Sequence, residues 1–163
     1  MVAVALTSIF MTVMVSISLS TGRSFAEIVN YVDLDHINRL AIDNLSREIR
    51  QVKFLSTFDP ARLTFVDNDN QQLTYEFSPT DRCLTRTKDD VTSLVLSDCD
   101  SLQFAMFQRT PLTNSYNLIP VTEATNCKVI SITWSCSRSL FGRRANNEAA
   151  EVARIVLRNK QQP

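Results

Sequence analysis

The chain has 163 residues, 44% of them hydrophobic, and its 17 basic and 17 acidic side chains give zero net charge. This size suits one domain with an appendage, and the hydrophobic content excludes wholesale disorder. Zero net charge provides no electrostatic basis for binding nucleic acid, so we predict no nucleic-acid partner. The chain has only two glycines, Gly22 and Gly142, which excludes glycine-rich phosphate loops.

The first 21 residues carry no charged side chain, and seven of them are Ser or Thr. A helix of roughly 20 apolar residues crosses a bilayer, and small hydroxyl side chains allow neighbouring helices to approach closely. We therefore predict that residues 1–22 are a transmembrane helix that also packs against other helices. The apolar residues expected to make these contacts are Val2, Val4, Leu6, Ile9, Phe10, Val13 and Ile17.

A cleaved signal peptide is the alternative interpretation of this stretch. Such a peptide has a positively charged region before its apolar core, whereas the first charge here is Arg23, on the far side. We therefore expect the natural N-terminus to lie upstream of Met1.

Residues 23–58 are predicted to continue the same helix in amphipathic form. Apolar residues recur at steps of three and four, which is the spacing of one helix face. This head-packing face comprises Leu34, Ile37, Ala41, Leu45, Ile49 and Val52, with Leu55 after it and Phe25, Ile28 and Val32 before it. Pro60 is expected to stop the helix. A helix of about 57 residues would be roughly 85 Å long, so its N-terminal half must protrude from the head.

After Pro60 the apolar period changes from 3.6 to 2, which predicts a β-sheet over residues 61–160. Strands are expected at 63–66, 73–77, 102–107 and 130–135, with a hairpin of 83–88 and 93–96 around Asp89 and Asp90. A long polar loop is expected from Thr110 to Asn126. The last segment, 148–159, suits either a strand or a helix.

The four cysteines are Cys83, Cys99, Cys127 and Cys136. An even number of cysteines after a membrane segment indicates disulfides in an oxidising compartment. If the strands around Phe104 and Ile132 pair antiparallel, Cys99 comes close to Cys136, one residue away from direct opposition. An irregular strand start would absorb that offset. We favour a Cys99–Cys136 disulfide, with Cys83–Cys127 as a possible second.

The sequence shows no catalytic constellation. It lacks a Gly-x-Ser-x-Gly elbow and closely spaced Cys and His ligands, and its one histidine, His36, lies on the charged helix face. We therefore predict no enzymatic activity, no cofactor and no metal site. The acidic residues near Asp67 are interpreted as an ordinary turn.

Two stretches resemble a known family. Met-Val-Ala-Val-Ala-Leu at Met1–Leu6 resembles the run that follows the Gly-Phe-Thr-Leu-x-Glu leader motif of type IV prepilins and pseudopilins. Arg-Glu-Ile-Arg-Gln at Arg47–Gln51 is similar to the corresponding helix of J-type pseudopilins and W-type minor pilins. The leader motif, whose Gly marks the cleavage site and whose Glu guides assembly in that family, is absent from this sequence.

The resemblance implies an α+β fold in which a long N-terminal helix protrudes by its apolar half and packs its amphipathic half on an antiparallel β-sheet that ends with a final strand. It also implies a structural minor subunit of a type IV pilus or type II secretion pseudopilus. Its helix would lie in the inner membrane, its head in the periplasm or outside the cell, and its partners would be membrane lipid and other pilin-like subunits. The alternative is a single-pass anchored periplasmic binding domain, such as an adhesin or DNA-uptake receptor, that does not polymerise. An in-frame leader motif upstream of Met1 would favour the assembly subunit.

Overall fold

One long helix dominates the architecture. The computed structural model describes residues 2–109, 117–140, 143–144 and 149–157. Helix α1 runs without interruption from Val2 to Gln51, which corresponds to about 75 Å at 1.5 Å per residue. Gly22 lies inside the helix and does not break it. The second half of α1 packs on antiparallel sheets, so the predicted α+β fold with a long N-terminal helix is confirmed.

The helix ends at Gln51, and the prediction that it continues to Phe58 is wrong. Residues Phe54–Asp59 form strand β1 instead. The side-chain amide of Asn68 donates to the Gln51 carbonyl at 2.9 Å, and the Lys53 amide donates to the Val66 carbonyl at 2.8 Å. The aromatic and Thr residues of this stretch favour a strand, so the chain passes directly from the helix into a β-ladder.

The first sheet is a five-stranded antiparallel meander in the order β1-β2-β3-β4-β5. Its remaining strands are β2 Arg62–Val66, β3 Gln72–Ser78, β4 Cys83–Lys88 and β5 Val91–Leu96. The predicted hairpin is confirmed as β4 and β5. Its two-residue turn holds Asp89 at φ 52° and Asp90 at φ 61°. Two positive φ angles match the twist of a tight hairpin, and Asp tolerates this backbone conformation better than most residues.

The second sheet has four strands in the order β11-β8-β6-β7. Its strands are β6 Cys99–Arg109, β7 Leu118–Pro120, β8 Val129–Cys136 and β11 Ala149–Val156. Strands β9 Ser139–Leu140 and β10 Arg143–Arg144 form a separate pair. The ambiguous last segment is therefore a strand over 149–156. The predicted loop from Thr110 to Asn126 contains β7 and a short 3-10 helix at Ala124–Asn126, and residues 110–116 lie outside the described part.

Strands β6 and β8 pair antiparallel with Cys99 directly opposite Cys136. The ladder shifts register between Cys99 and Ser101, so the predicted irregular strand start is confirmed. Both cysteines are buried and both are thiols in this structure. The hydrogen bond to Cys99, together with burial, raises the pKa of the Cys136 thiol.

The suggested Cys83–Cys127 disulfide is wrong. Cys83 begins β4, and the Cys99 amide donates to the carbonyl of its neighbour Arg82 at 2.8 Å. Cys83 therefore lies at the Cys99–Cys136 end of the second sheet. Cys127 precedes β8 at the opposite end, roughly 25 Å away along that strand. Two cysteines more than about 7 Å apart between Cα atoms cannot be bridged without backbone movement.

We predict that mild oxidation joins Cys99 to Cys136 and leaves Cys83 and Cys127 as thiols. Directly opposed residues of an antiparallel ladder have Cα atoms about 4.5 to 5.5 Å apart, which is within the range of disulfides. Alkylation under denaturing conditions without reductant, followed by peptide mass spectrometry, is expected to recover one linked peptide pair. Cys127→Ser should keep this pair and Cys136→Ser should abolish it. Full alkylation of all four cysteines after oxidation would contradict the prediction.

Candidate assembly surface

The N-terminal half of α1 lies outside the head. From Ala3 to Val29 no residue is buried, and Asn30 is the first residue of the helix that the head buries. The predicted contact residues Val4, Leu6, Ile9, Phe10, Val13 and Ile17 are between 49% and 72% exposed. Val2 lies in the helix, but its side chain is outside the described part. By length and composition, α1 contains a stretch able to cross a membrane, and none of that stretch is buried in the head.

Several hydroxyl groups of this half are satisfied within the helix. Thr7, Ser8, Thr12 and Ser18 donate to backbone carbonyls three or four residues earlier, at 2.8 to 2.9 Å. An unpaired hydroxyl in hydrocarbon would cost free energy, whereas these groups need no partner outside their own helix. These small side chains therefore present a compact surface that both lipid and another helix can cover.

The exposed apolar surface extends past the first charges, Arg23 and Glu27. Phe25, Ile28 and Val32 were expected to prolong the head-packing face, but they are 58% to 68% exposed. This expectation is wrong: Phe25 and Ile28 precede Asn30, where the head begins to cover the helix, and Val32 lies on a side of α1 that the head leaves exposed. We call the apolar residues of α1 from Ala3 to Val32 the exposed helix surface.

The head-packing face itself is confirmed over most of its length. Leu34, Ala41, Leu45, Ile49 and Val52 are buried in the core, and Ile37 is partly buried against it. Burying such a side chain stabilises a fold by about 1.5 to 3 kcal/mol each. Leu55 is also buried, from β1 instead of the helix. This apolar contact attaches the second half of α1 firmly to the head.

Polar contacts fix the position of α1 on the head near the point where the helix emerges. The Asn38 side-chain oxygen accepts from Trp134 Nε1 at 3.2 Å, and both residues are buried. Arg138 donates to Asp33 at 2.8 Å and to Asn30 at 3.3 Å, and its Nε donates to Asp98 at 2.9 Å. The Asp33 and Asp98 carboxylates raise the pKa of the Arg138 guanidinium.

A second polar contact lies nearer the C-terminal end of α1. The Glu48 carboxylate accepts from Arg86 Nε at 2.7 Å and from the Tyr75 hydroxyl. Burial, followed by the hydrogen bond to Glu48, raises the pKa of Tyr75. With Arg138 at one end and Arg86 at the other, charged hydrogen bonds hold both ends of the packed half of the helix.

The positioning residues Asn30, Asn38 and Arg138 were not predicted from the sequence. The two asparagines follow the helical spacing of the apolar stripe, four residues before and four after Leu34. A polar residue at a core position of an amphipathic helix is the signal that was available. No comparable signal marks Arg138, because it lies just after β8 and its partners are far away in sequence.

Two grooves flank the packed half of α1. On one side, Ile37, Leu40 and Asn44 face Ser93, Leu94 and Val95 of β5. On the other side, Asp43, Ser46, Arg47 and Arg50 face Ala153 and Arg154 of β11. Among the described residues, no group of three His, Cys, Asp or Glu side chains is placed to hold a metal ion.

Comparison with protein-family models and with curated proteins finds no match for this chain.

We predict that Arg138→Gln loosens the point where the helix emerges. Loss of the charge-assisted bonds to Asp33 and Asp98 should raise amide hydrogen exchange at residues 30–34 roughly fivefold, without unfolding the core. The measurement is hydrogen–deuterium exchange of the full chain in detergent. Arg39→Gln is the matched control, because among the described residues Arg39 pairs within α1, with Asp35, and its side chain is 72% exposed. Equal effects of the two substitutions would contradict the role of Arg138.

Proposed function

We propose that this chain is a structural minor subunit of a pilin-like assembly, a type IV pilus or a type II secretion pseudopilus. The exposed helix surface is anchored in the inner membrane and packs against the helices of other subunits, and the head lies in the periplasm or outside the cell. The observation that carries the proposal is a single uninterrupted helix whose first half is apolar and uncovered.

The length of the uncovered half supports assembly over simple anchoring. Residues 3–29 span about 40 Å, whereas the hydrocarbon core of a bilayer is about 30 Å thick. Roughly 10 Å of exposed helix therefore lies beyond the lipid and before the head. This part includes Phe25 and Ile28, next to the charged residues Arg23 and Glu27. Neither the hydrocarbon core nor the head covers these apolar side chains, and a neighbouring helix would cover them.

The composition of the span supports the same proposal. Interfaces between helices in membranes are rich in small residues. The hydrophobic effect does not drive helices together in lipid, and small residues allow the close backbone packing that drives association instead. Ser8, Thr12 and Ser16 recur at four-residue steps along one side of α1. A helix that served only as an anchor would not need this stripe.

We predict that a photo-reactive amino acid at Ile28 forms adducts with other membrane-anchored proteins in the native cell. Ile28 lies between the membrane and the head, so a simple anchor would expose it to water. The same label at Arg39, which lies on the exposed, charged face of α1, is the matched control and should give few adducts. Mass spectrometry of the adducts identifies the neighbouring chains. An equal and low yield at both positions would favour the anchored binding domain instead.

A further inference from the structure

The two opposed cysteines, Cys99 and Cys136, lie beside the contacts that hold α1 where it leaves the head. Asp98 immediately precedes Cys99, and Arg138 follows Cys136 by two residues. Arg138 donates from Nε to Asp98 at 2.9 Å and from Nη1 to Asp33 of α1 at 2.8 Å. We call the linked side chains Asp98, Arg138 and Asp33 the exit contact. The cysteine pair is therefore adjacent in sequence to two of its three members.

The exit contact joins two different strands to the helix. Asp98 lies just before β6 begins, and Arg138 lies just after β8 ends. Cys99 and Cys136 are the outermost residue pair of the β6–β8 ladder at this end. If the two strand ends separate, Arg138 loses the Asp98 carboxylate that orients its guanidinium towards α1. The exit contact thus depends on the closure of this end of the ladder.

Polar contacts close this end of the ladder while the cysteines are thiols. The Ser137 amide donates to the Asp98 carbonyl at 3.0 Å. Arg82 Nη2 donates to the Ser137 carbonyl at 2.6 Å and to the Asp98 carbonyl at 3.3 Å, and it pairs with Asp100 at 2.7 Å. The ladder shifts register at Asp100, and an irregularity of this kind disrupts strand pairing locally. The strand ends are therefore held by side-chain contacts as much as by the ladder.

The ion pairs of the exit contact are partly open to water. The side chains of Arg138 and Asp98 are 31% and 32% exposed, and the side chain of Asp33 is 52% exposed. Ion pairs with this exposure are screened by solvent and salt, so they contribute little to stability. Opening of the strand ends therefore costs little free energy in the thiol form.

The cysteine pair is placed to close the strand ends covalently. Cys99 and Cys136 are fully buried, lie opposite each other and hydrogen-bond through their side chains. A small-molecule disulfide such as glutathione disulfide serves as the oxidant. One cysteine thiolate attacks it and releases a glutathione thiol, and the second cysteine sulfur then attacks the mixed disulfide and releases another. The chain loses two electrons and two protons, which reduce the oxidant to two thiols, and one S–S bond forms within the chain.

We propose that the Cys99–Cys136 pair is a redox device that sets how firmly the head holds α1 at its exit. Oxidation joins the ends of β6 and β8, keeps Asp98 beside Arg138 and so holds Arg138 on Asp33. Reduction lets the strand ends open and loosens the helix where it leaves the head. All of these contacts lie within one chain, so the inference is independent of the proposed assembly function.

The test compares the full chain in detergent after treatment with glutathione disulfide and after treatment with dithiothreitol. Peptide mass spectrometry verifies the bond, and hydrogen–deuterium exchange then measures the helix. Exchange at residues 30–34 should be roughly fivefold slower in the oxidised form, because fewer openings expose these amides. Residues 45–51, near the contact of Glu48 with Arg86, are the matched control and should change less than about twofold. Equal slowing of both segments, unchanged exchange at 30–34, or failure of the pair to oxidise would overturn the proposal.

An Arg138→Gln variant tests whether the effect passes through the exit contact. The disulfide should still form in this variant, but the connection from the strand ends to Asp33 is lost. Oxidation should then slow exchange in β6 and β8 and leave exchange at residues 30–34 unchanged. Arg39→Gln, which removes an ion pair within α1, is the control and should keep the full effect. Slowing at 30–34 that persists in Arg138→Gln would contradict the proposal.

Cysteine variants assign the redox response to one pair. Cys136→Ser cannot form the bond, so exchange at residues 30–34 should be the same with both reagents. A chain with Cys83→Ser and Cys127→Ser retains the pair and should respond as the original chain does. A response that persists in Cys136→Ser, or that is lost in the double variant, would assign it to other thiols and overturn the proposal.

Discussion

The structure depends on a mismatch of length between one helix and the head that it carries. Helix α1 is continuous over 50 residues because each turn is closed by its own backbone hydrogen bonds. The head covers it only from Asn30 onward. The uncovered half is apolar, so water is an unfavourable environment for it, and it must be buried in lipid, in protein or in both. The membrane anchoring and the packing with neighbouring helices that we propose are both responses to this one constraint.

The same mismatch explains why the attachment of helix to head is so strongly built. Any force on a long protruding helix is transmitted to the domain that holds it. Contact through an apolar stripe alone would let the helix rotate and slide against that domain. Hydrogen bonds from Trp134 to Asn38 and from Arg138 to Asp33 add directional contacts near the exit point, and Arg86 with Glu48 adds one further along. The head thereby fixes which side of α1 faces β5 and which side faces β11.

Much of this architecture was predictable from periodicity. Local patterns predict three features: the change in the spacing of apolar residues from a period of 3.6 to a period of 2, the β4–β5 hairpin, and the position of Cys99 close to Cys136. The end of α1 was not predictable, because Val52 and Leu55 keep helical spacing. Leu55 nevertheless pairs with β2 and therefore belongs to strand β1. The exposure of Phe25 was also missed, since periodicity identifies an apolar face without identifying what covers it. The positions of Arg138 and of the two sheet edges depend on contacts between residues far apart in sequence.

The most direct test of the account replaces residues 4–21 by 18 leucines in the full chain, in its native cell. Polyleucine crosses a membrane but lacks the small Ser, Thr and Ala side chains that allow helices to approach closely. Native gel electrophoresis of detergent-extracted membranes then compares the sizes of the complexes that contain each chain. The account predicts that the polyleucine chain remains in the membrane fraction but no longer enters the larger complexes of the original chain. Entry into complexes of the same size would contradict a specific assembly role for the exposed helix surface.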